Sequence, residues 1–188
     1  GQTTMPHEHV RELLTSRAEA SAEEDAVRQA QWDAIREETL KAGGLGKVVP
    51  MCDFSGSMSG IPKEVSLALG ILISEVASPA FKDQILTFDS VPFWHSFAGM
   101  TTLRQKVNSI EGYGQGLSTN FQKAANLVLQ KLVENEVSPE DAPTDLLVLT
   151  DMGFDAAAND CKYANKGTHW ESHFEIIRNS FARFGYQP

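Results

Sequence analysis

Apolar positions recur every three to four residues through the first forty residues. Val10, Leu13 and Leu14, then Val27, Trp32, Ile35 and Leu40 stand among Glu, Arg and Gln, a spacing that predicts amphipathic helices to about Ala42. Ser21-x-x-Glu24 has the form of a capping box for the longer helix, and Gly43-Gly44-Leu45-Gly46 ends it. This extension is expected to lay its apolar stripe on the rest of the protein and leave its acidic face in water. The pattern then changes to short unbroken apolar runs. Lys47 to Cys52 predicts a strand, with Pro50 inside it marking a bulge or a locally unpaired position. Val65 to Ala77, almost wholly apolar, predicts a helix buried against a sheet, and Pro62 suits its first turn.

Further along, Gln84 to Phe88 predicts a second strand, and the aromatics of Val91 to Phe97 predict a short edge strand. Thr101 to Ile110 reads as a modest amphipathic helix, and Asn120 to about Glu136 as a long one. A Pro-containing loop, Ser138 to Pro143, leads into a third core strand, Asp145 to Thr150, and a last helix is expected over Thr168 to Phe184. Strands alternating with helices on this scale predict an α/β fold: a doubly wound, mostly parallel sheet flanked by helices. The expected division is residues 1–44 as the helical extension and residues 45–188 as the α/β domain.

The candidate chemistry sits where predicted strands end. Asp53-Phe54-Ser55-Gly56-Ser57-Met58 follows the first strand and alternates a carboxylate with two hydroxyls, which converge on one point if the loop curls at Gly56. The Gly-rich stretch Gly112 to Asn120 delivers Thr119 just before a helix, and the third core strand ends in Asp151. Together Asp53, Ser55, Ser57, Thr119 and Asp151 resemble the metal-ion-dependent adhesion site of von Willebrand factor A-type domains. That resemblance implies Mg2+, or Mn2+ or Ca2+, touched by the two serines and the threonine, with the two aspartates acting largely through water. It also implies an open coordination position for a Glu or Asp from a partner protein. Hydroxyl ligands with outer carboxylates leave such a cation electron-poor and ready to accept an external carboxylate.

At finer grain, several segments resemble a largely uncharacterised group of eukaryotic and viral proteins that joins a Ro-type helical region to a von Willebrand A-like domain. They are Asp-x-Ser-Gly-Ser-Met-Ser-Gly-x-Pro, Ile85 to Phe88, Trp94-His95, Thr119 to Gln122 and Asp151-Met152-x-Phe154-Asp155. The von Willebrand A fold carries two further strands beyond the helix at Thr168 to Phe184. The chain reads only to Pro188, so the expected sheet lacks those last strands, or another segment supplies them. Met58, Gln115 and Phe154 are the expected rim contacts for the partner.

Composition narrows the alternatives. In 188 residues, 41% hydrophobic and 22% charged content is ordinary for a globular chain, and the formal net charge of -9 argues against direct nucleic-acid binding by this domain. No apolar run is long enough to span a membrane and no secretory signal is visible, so an intracellular, cytoplasmic protein is expected; Gly1 without a preceding Met reads as a trimmed or processed chain. Cys52 and Cys161 form no CxxC pair, and Cys52 reads as a buried apolar residue. His169 and His173 have the i, i+4 spacing of a metal pair, but without the adjacent glutamate of a zinc protease they read as a surface helix start.

In Gly56-Ser57-Met58-Ser59-Gly60 the elbow position is Met58, against a serine hydrolase, and Gly44-Leu45-Gly46-Lys47 lacks phosphate-loop spacing. A Mg2+-dependent phosphoryl-transfer enzyme would use Asp53 and Asp151, with Asp89 and Asp155 as extra acids, but Ser55 stands where that chemistry wants a second acid. A non-enzymatic, metal-dependent interaction module is the expected function. The alternative is a scaffold domain of a ribonucleoprotein or assembly complex whose binding survives chelation.

Overall fold

The computed structural model describes residues 4–15, 21–43, 45, 47–54, 60–87, 89, 91–110, 121–150 and 168–187. Two helices come first, α1 (Pro6–Thr15) and α2 (Ala22–Lys41). Ser21 caps α2 as its capping box predicts, its hydroxyl accepting from the Glu24 N–H at 3.2 Å. Glu23, Glu24 and Asp25 in the first turn and Lys41 in the last complement the helix dipole. Gly43, at φ +100°, then turns the chain out of the helix, a backbone geometry that favours glycine.

Strand β1 (Val48–Cys52) is followed by α3 (Ile61–Val76), β2 (Gln84–Thr87), β3 (Trp94–Ser96), α4 (Leu103–Ile110), α5 (Phe121–Glu134), β4 (Asp145–Leu149) and α6 (Thr168–Ala182). The sheet order is β3-β2-β1-β4; β1 pairs in parallel with both β2 and β4, and β3 is antiparallel to β2. The expected α/β architecture is therefore present as an open, mostly parallel four-stranded sheet with six helices among the described residues. None of the described helices is long and apolar enough to cross a membrane.

Pro50 produces no bulge. Its register with β4 runs unbroken from Val48↔Asp145 to Cys52↔Leu149. The Asp53 N–H bonds Leu149 O across to β4, so by the alternation of a parallel ladder the imide nitrogen of Pro50 faces β2. Ladder pairing with β2 begins only at Met51↔Leu86, although β2 itself starts at Gln84, so Pro50 is locally unpaired on its β2 side, the second of the two expected outcomes.

Alternation along β1 feeds two cores. Val49 and Met51 join Leu86, Val128, Leu132, Phe181 and Tyr186 under α5 and α6. Cys52 and Phe54 join Leu67, Ile71, Ile85 and Phe97 under α3 and α4. This second core also contains Val10, Leu13 and Trp32, so the helical extension closes one face of the sheet, as its apolar stripe predicts. The stripe is narrower than expected, however: Val27 and Leu40 are 59% and 51% exposed, because α2 meets its neighbours mainly around Trp32 and through polar contacts.

Those contacts are specific. The Arg104 guanidinium grips the Asp25 carboxylate at 2.5 and 2.7 Å and holds its carboxyl below the usual range. Gln29 Oε1 accepts from the Leu103 N–H at 2.7 Å, so α2 caps the amino end of α4. Glu75 on α3 accepts from Trp32 Nε1 at 2.9 Å and from Lys106 Nζ at 2.7 Å, a buried pair that joins three helices.

Candidate functional site

Strand β1 lies between β2 on one side and β4 on the other, and Asp53 directly follows its last residue, Cys52. The chain leaves β1 through α3 toward β2 and returns through α5 to β4 on the far side, so the strand order reverses between β1 and β4. In open α/β sheets, that reversal opens a crevice at the carboxyl ends of the strands. Asp53, 3% exposed, follows the carboxyl end of β1 beside this reversal.

Hydrogen bonds to three described residues help to hold this residue. Its backbone N–H donates to Leu149 O at 2.9 Å, its carbonyl accepts from Ser66 Oγ at 3.4 Å, and its carboxylate Oδ2 accepts from Thr150 Oγ1 at 2.8 Å. The ends of β1 and β4 and the first turns of α3 thus meet on one residue, whose backbone is held by Leu149 and Ser66 and whose carboxylate is held by Thr150. Phe54, 4% exposed and packed in the α3 core, anchors the chain just beyond it.

The donor atoms here are oxygens, the ligand type of a hard cation. Among the described residues, the neighbouring Cys52 Sγ faces α3 by strand alternation and contacts Ser66 O at 3.7 Å. Burial pushes the Cys52 thiol up to about 12, which makes it an inert packing group as expected. Asp53 and the Thr150 hydroxyl therefore fit an oxygen-bound Mg2+. Ser55, Ser57, Thr119 and Asp151 lie outside the described residues, as do Met58, Gln115, Phe154, Asp155 and Cys161. No trio of His, Cys, Asp or Glu gathers to hold a metal among the described residues. A set of two carboxylates and three hydroxyls contains no such trio. His169 and His173 fall within α6, with side chains outside the described residues.

Thr150 is the residue the sequence reading passed over. It reads there only as the last position of an apolar strand; the available signal was a hydroxyl directly before a strand-end aspartate. Elsewhere, a cavity of about 630 Å3 lined by Lys47, Ser78, Asn135, Glu136, Ser138 and Asp141 opens at the amino ends of the strands, on the opposite edge from Asp53. His95 Nε2 and Ser109 Oγ lie 2.9 Å apart, but Ser109 Oγ donates to Lys106 O at 2.7 Å within its own helix. The histidine then donates to that hydroxyl, the wrong polarity for activating a nucleophile.

Residues 47–188 match the family described as a domain of unknown function, DUF7788. The chain belongs to the DUF7788 family. It is also 34% identical over 182 residues to the uncharacterized protein L728 of Acanthamoeba polyphaga mimivirus, an alignment that covers 97% of this chain. The chain spans 29% of that viral protein, which is much longer. No solved structure matches the chain.

Proposed function

We propose that this DUF7788 chain is a divalent-metal-dependent protein-interaction module with a von Willebrand A-like, doubly wound fold. Ser55, Ser57 and Thr119 would hold Mg2+, or Mn2+ or Ca2+, with Asp53 and Asp151 acting through water. A Glu or Asp from a partner protein completes the coordination. The observation that carries this reading is the fixed Asp53 carboxylate at the reversal between β1 and β4, the place where sheets of this kind bind ligands. The oxygen atoms that meet Asp53 among the described residues suit a hard cation; in sequence Ser55 and Ser57 follow β1, Asp151 follows β4, and Thr119 precedes α5. The cation supplies Lewis acidity toward the partner's carboxylate; the chain's own residues orient it and leave one position open.

The test is calorimetric titration of Mg2+, Mn2+ and Ca2+ into chelator-stripped protein. Saturable binding is expected in the wild type and is lost in Asp53→Ala and Thr119→Ala variants that keep wild-type circular dichroism. A folded wild type that binds none of the three cations overturns the reading.

A further inference from the structure

We propose that Thr150 is a positioning residue of this metal site, an inference that rests on the metal-dependent reading above. A carboxylate that acts on a cation through water must hold its lone pairs in one direction, yet an unrestrained Asp side chain turns freely about its last torsion. Here the Thr150 hydroxyl donates to Asp53 Oδ2 at 2.8 Å across 97 residues of sequence. The aspartate backbone is clamped as well, through Leu149 O on β4 and Ser66 Oγ on α3. With the backbone fixed, the hydroxyl contributes directly to the direction of the carboxylate.

Thr150 does a second thing by its place in the chain. It directly precedes Asp151, the other predicted acidic residue of the site. One side-chain bond therefore ties the first carboxylate to the residue that precedes the second in sequence. Asp53 and Thr150 are registered by the β1–β4 ladder, which ends at Cys52↔Leu149, and by the hydroxyl bond just beyond it. Outer-shell partners of this kind commonly carry 10- to 100-fold of metal affinity, because they orient ligands that would otherwise sample several directions.

The consequence is selective for the ion. Mg2+ demands near-ideal octahedral geometry, whereas Ca2+ accepts flexible coordination. Loosening Asp53 should therefore weaken Mg2+ more than Ca2+, an asymmetry that general destabilisation of the fold does not produce.

The experiment compares Mg2+ and Ca2+ titrations of the full chain in four forms: wild type, Thr150→Val, Thr150→Ser and Asp53→Ala, with circular dichroism checking each fold. Thr150→Val is nearly isosteric and lacks the donor; about a tenfold or larger loss of Mg2+ affinity is expected, with a smaller loss for Ca2+. Thr150→Ser keeps the donor and should stay close to wild type. Should Thr150→Val fail to fold, Thr150→Ala at low temperature takes its place. Wild-type Mg2+ affinity in a donor-less variant, equal losses for the two ions, or a Thr150→Ser variant as weak as Thr150→Val each overturns the role of Thr150 while leaving the metal site standing. A wild type that binds neither ion overturns both inferences together, so the two failures are told apart.

Discussion

His9 on α1 is 2% exposed, and its Nε2 has no hydrogen-bond partner among the described residues. Burial holds the ring below its ordinary value of 6.5; Glu12 and Glu8 on the same helix oppose that shift, and Arg28, facing it from α2, reinforces it. Arg28 bridges to Glu12 and Asp25, while Glu64 on α3 is engaged by Arg11 at 2.8 Å. The unfolded chain therefore binds a proton near pH 6.5 that the folded chain refuses. Stability from this residue is fully present above 6.5 and is lost as pH falls from there toward the lower folded value. His95, whose ring burial also lowers its pKa, adds to the same trend. Urea unfolding across pH 5 to 8 should show stability rising with pH, and His9→Leu should flatten that slope by the His9 share while His95 keeps the rest. An unchanged slope would remove His9 from the account.

At the scale of elements, α3 is pressed against β1 more closely than a side chain at Gly70 permits. A Cβ there would lie 2.6 Å from Cys52 Sγ, a short side chain on a central strand with no room to retreat. The close approach seats the helix over the strand that carries Asp53. Gly70→Ala gains about 1 kcal/mol of helix propensity but forces an overpacking cost of about 1 to 3 kcal/mol. A net loss of about 1 kcal/mol is expected by chemical denaturation. Adding Cys52→Ala, which removes the obstructing sulfur, should recover it; a double variant as unstable as the sum of its parts would show that the contact is not the cause. The same strand tolerates Pro50 because only its β4 side is paired at that height.

Across the whole molecule, the boundary of the family match and the boundary of the folding unit do not coincide. The DUF7788 match begins at residue 47, but Val10, Leu13 and Trp32 from the preceding helices fill the core beneath α3 and α4. Trp32 also donates to Glu75, and the buried Glu75–Lys106 pair depends on that cover to stay dry and matched. The viral relative aligns over 97% of the chain, which takes in these helices too. Residues 47–188 expressed alone should lose cooperative unfolding and near-ultraviolet circular dichroism and bind a hydrophobic dye, since one face of the sheet is then uncovered. A sharp, native-like transition in that fragment would show instead that α1 and α2 are an appendage.

By itself, the sequence determined what local physics determines. The helices, the Ser21 cap of α2, the apolar strands and the place of Asp53 just after a strand end are all written in runs of a few neighbouring residues, where side-chain period and capping chemistry act directly. The α/β class followed from their alternation. Tertiary structure alone decided which strands are neighbours, and with that which side chains meet. Thr150 reaches Asp53 across 97 residues, Arg104 reaches Asp25 across 79, and Trp32 reaches Glu75 across 43. No periodicity encodes such pairs. They arise when the two faces of the sheet are buried at once, and the polar groups caught in that burial must find partners wherever the packing brings them.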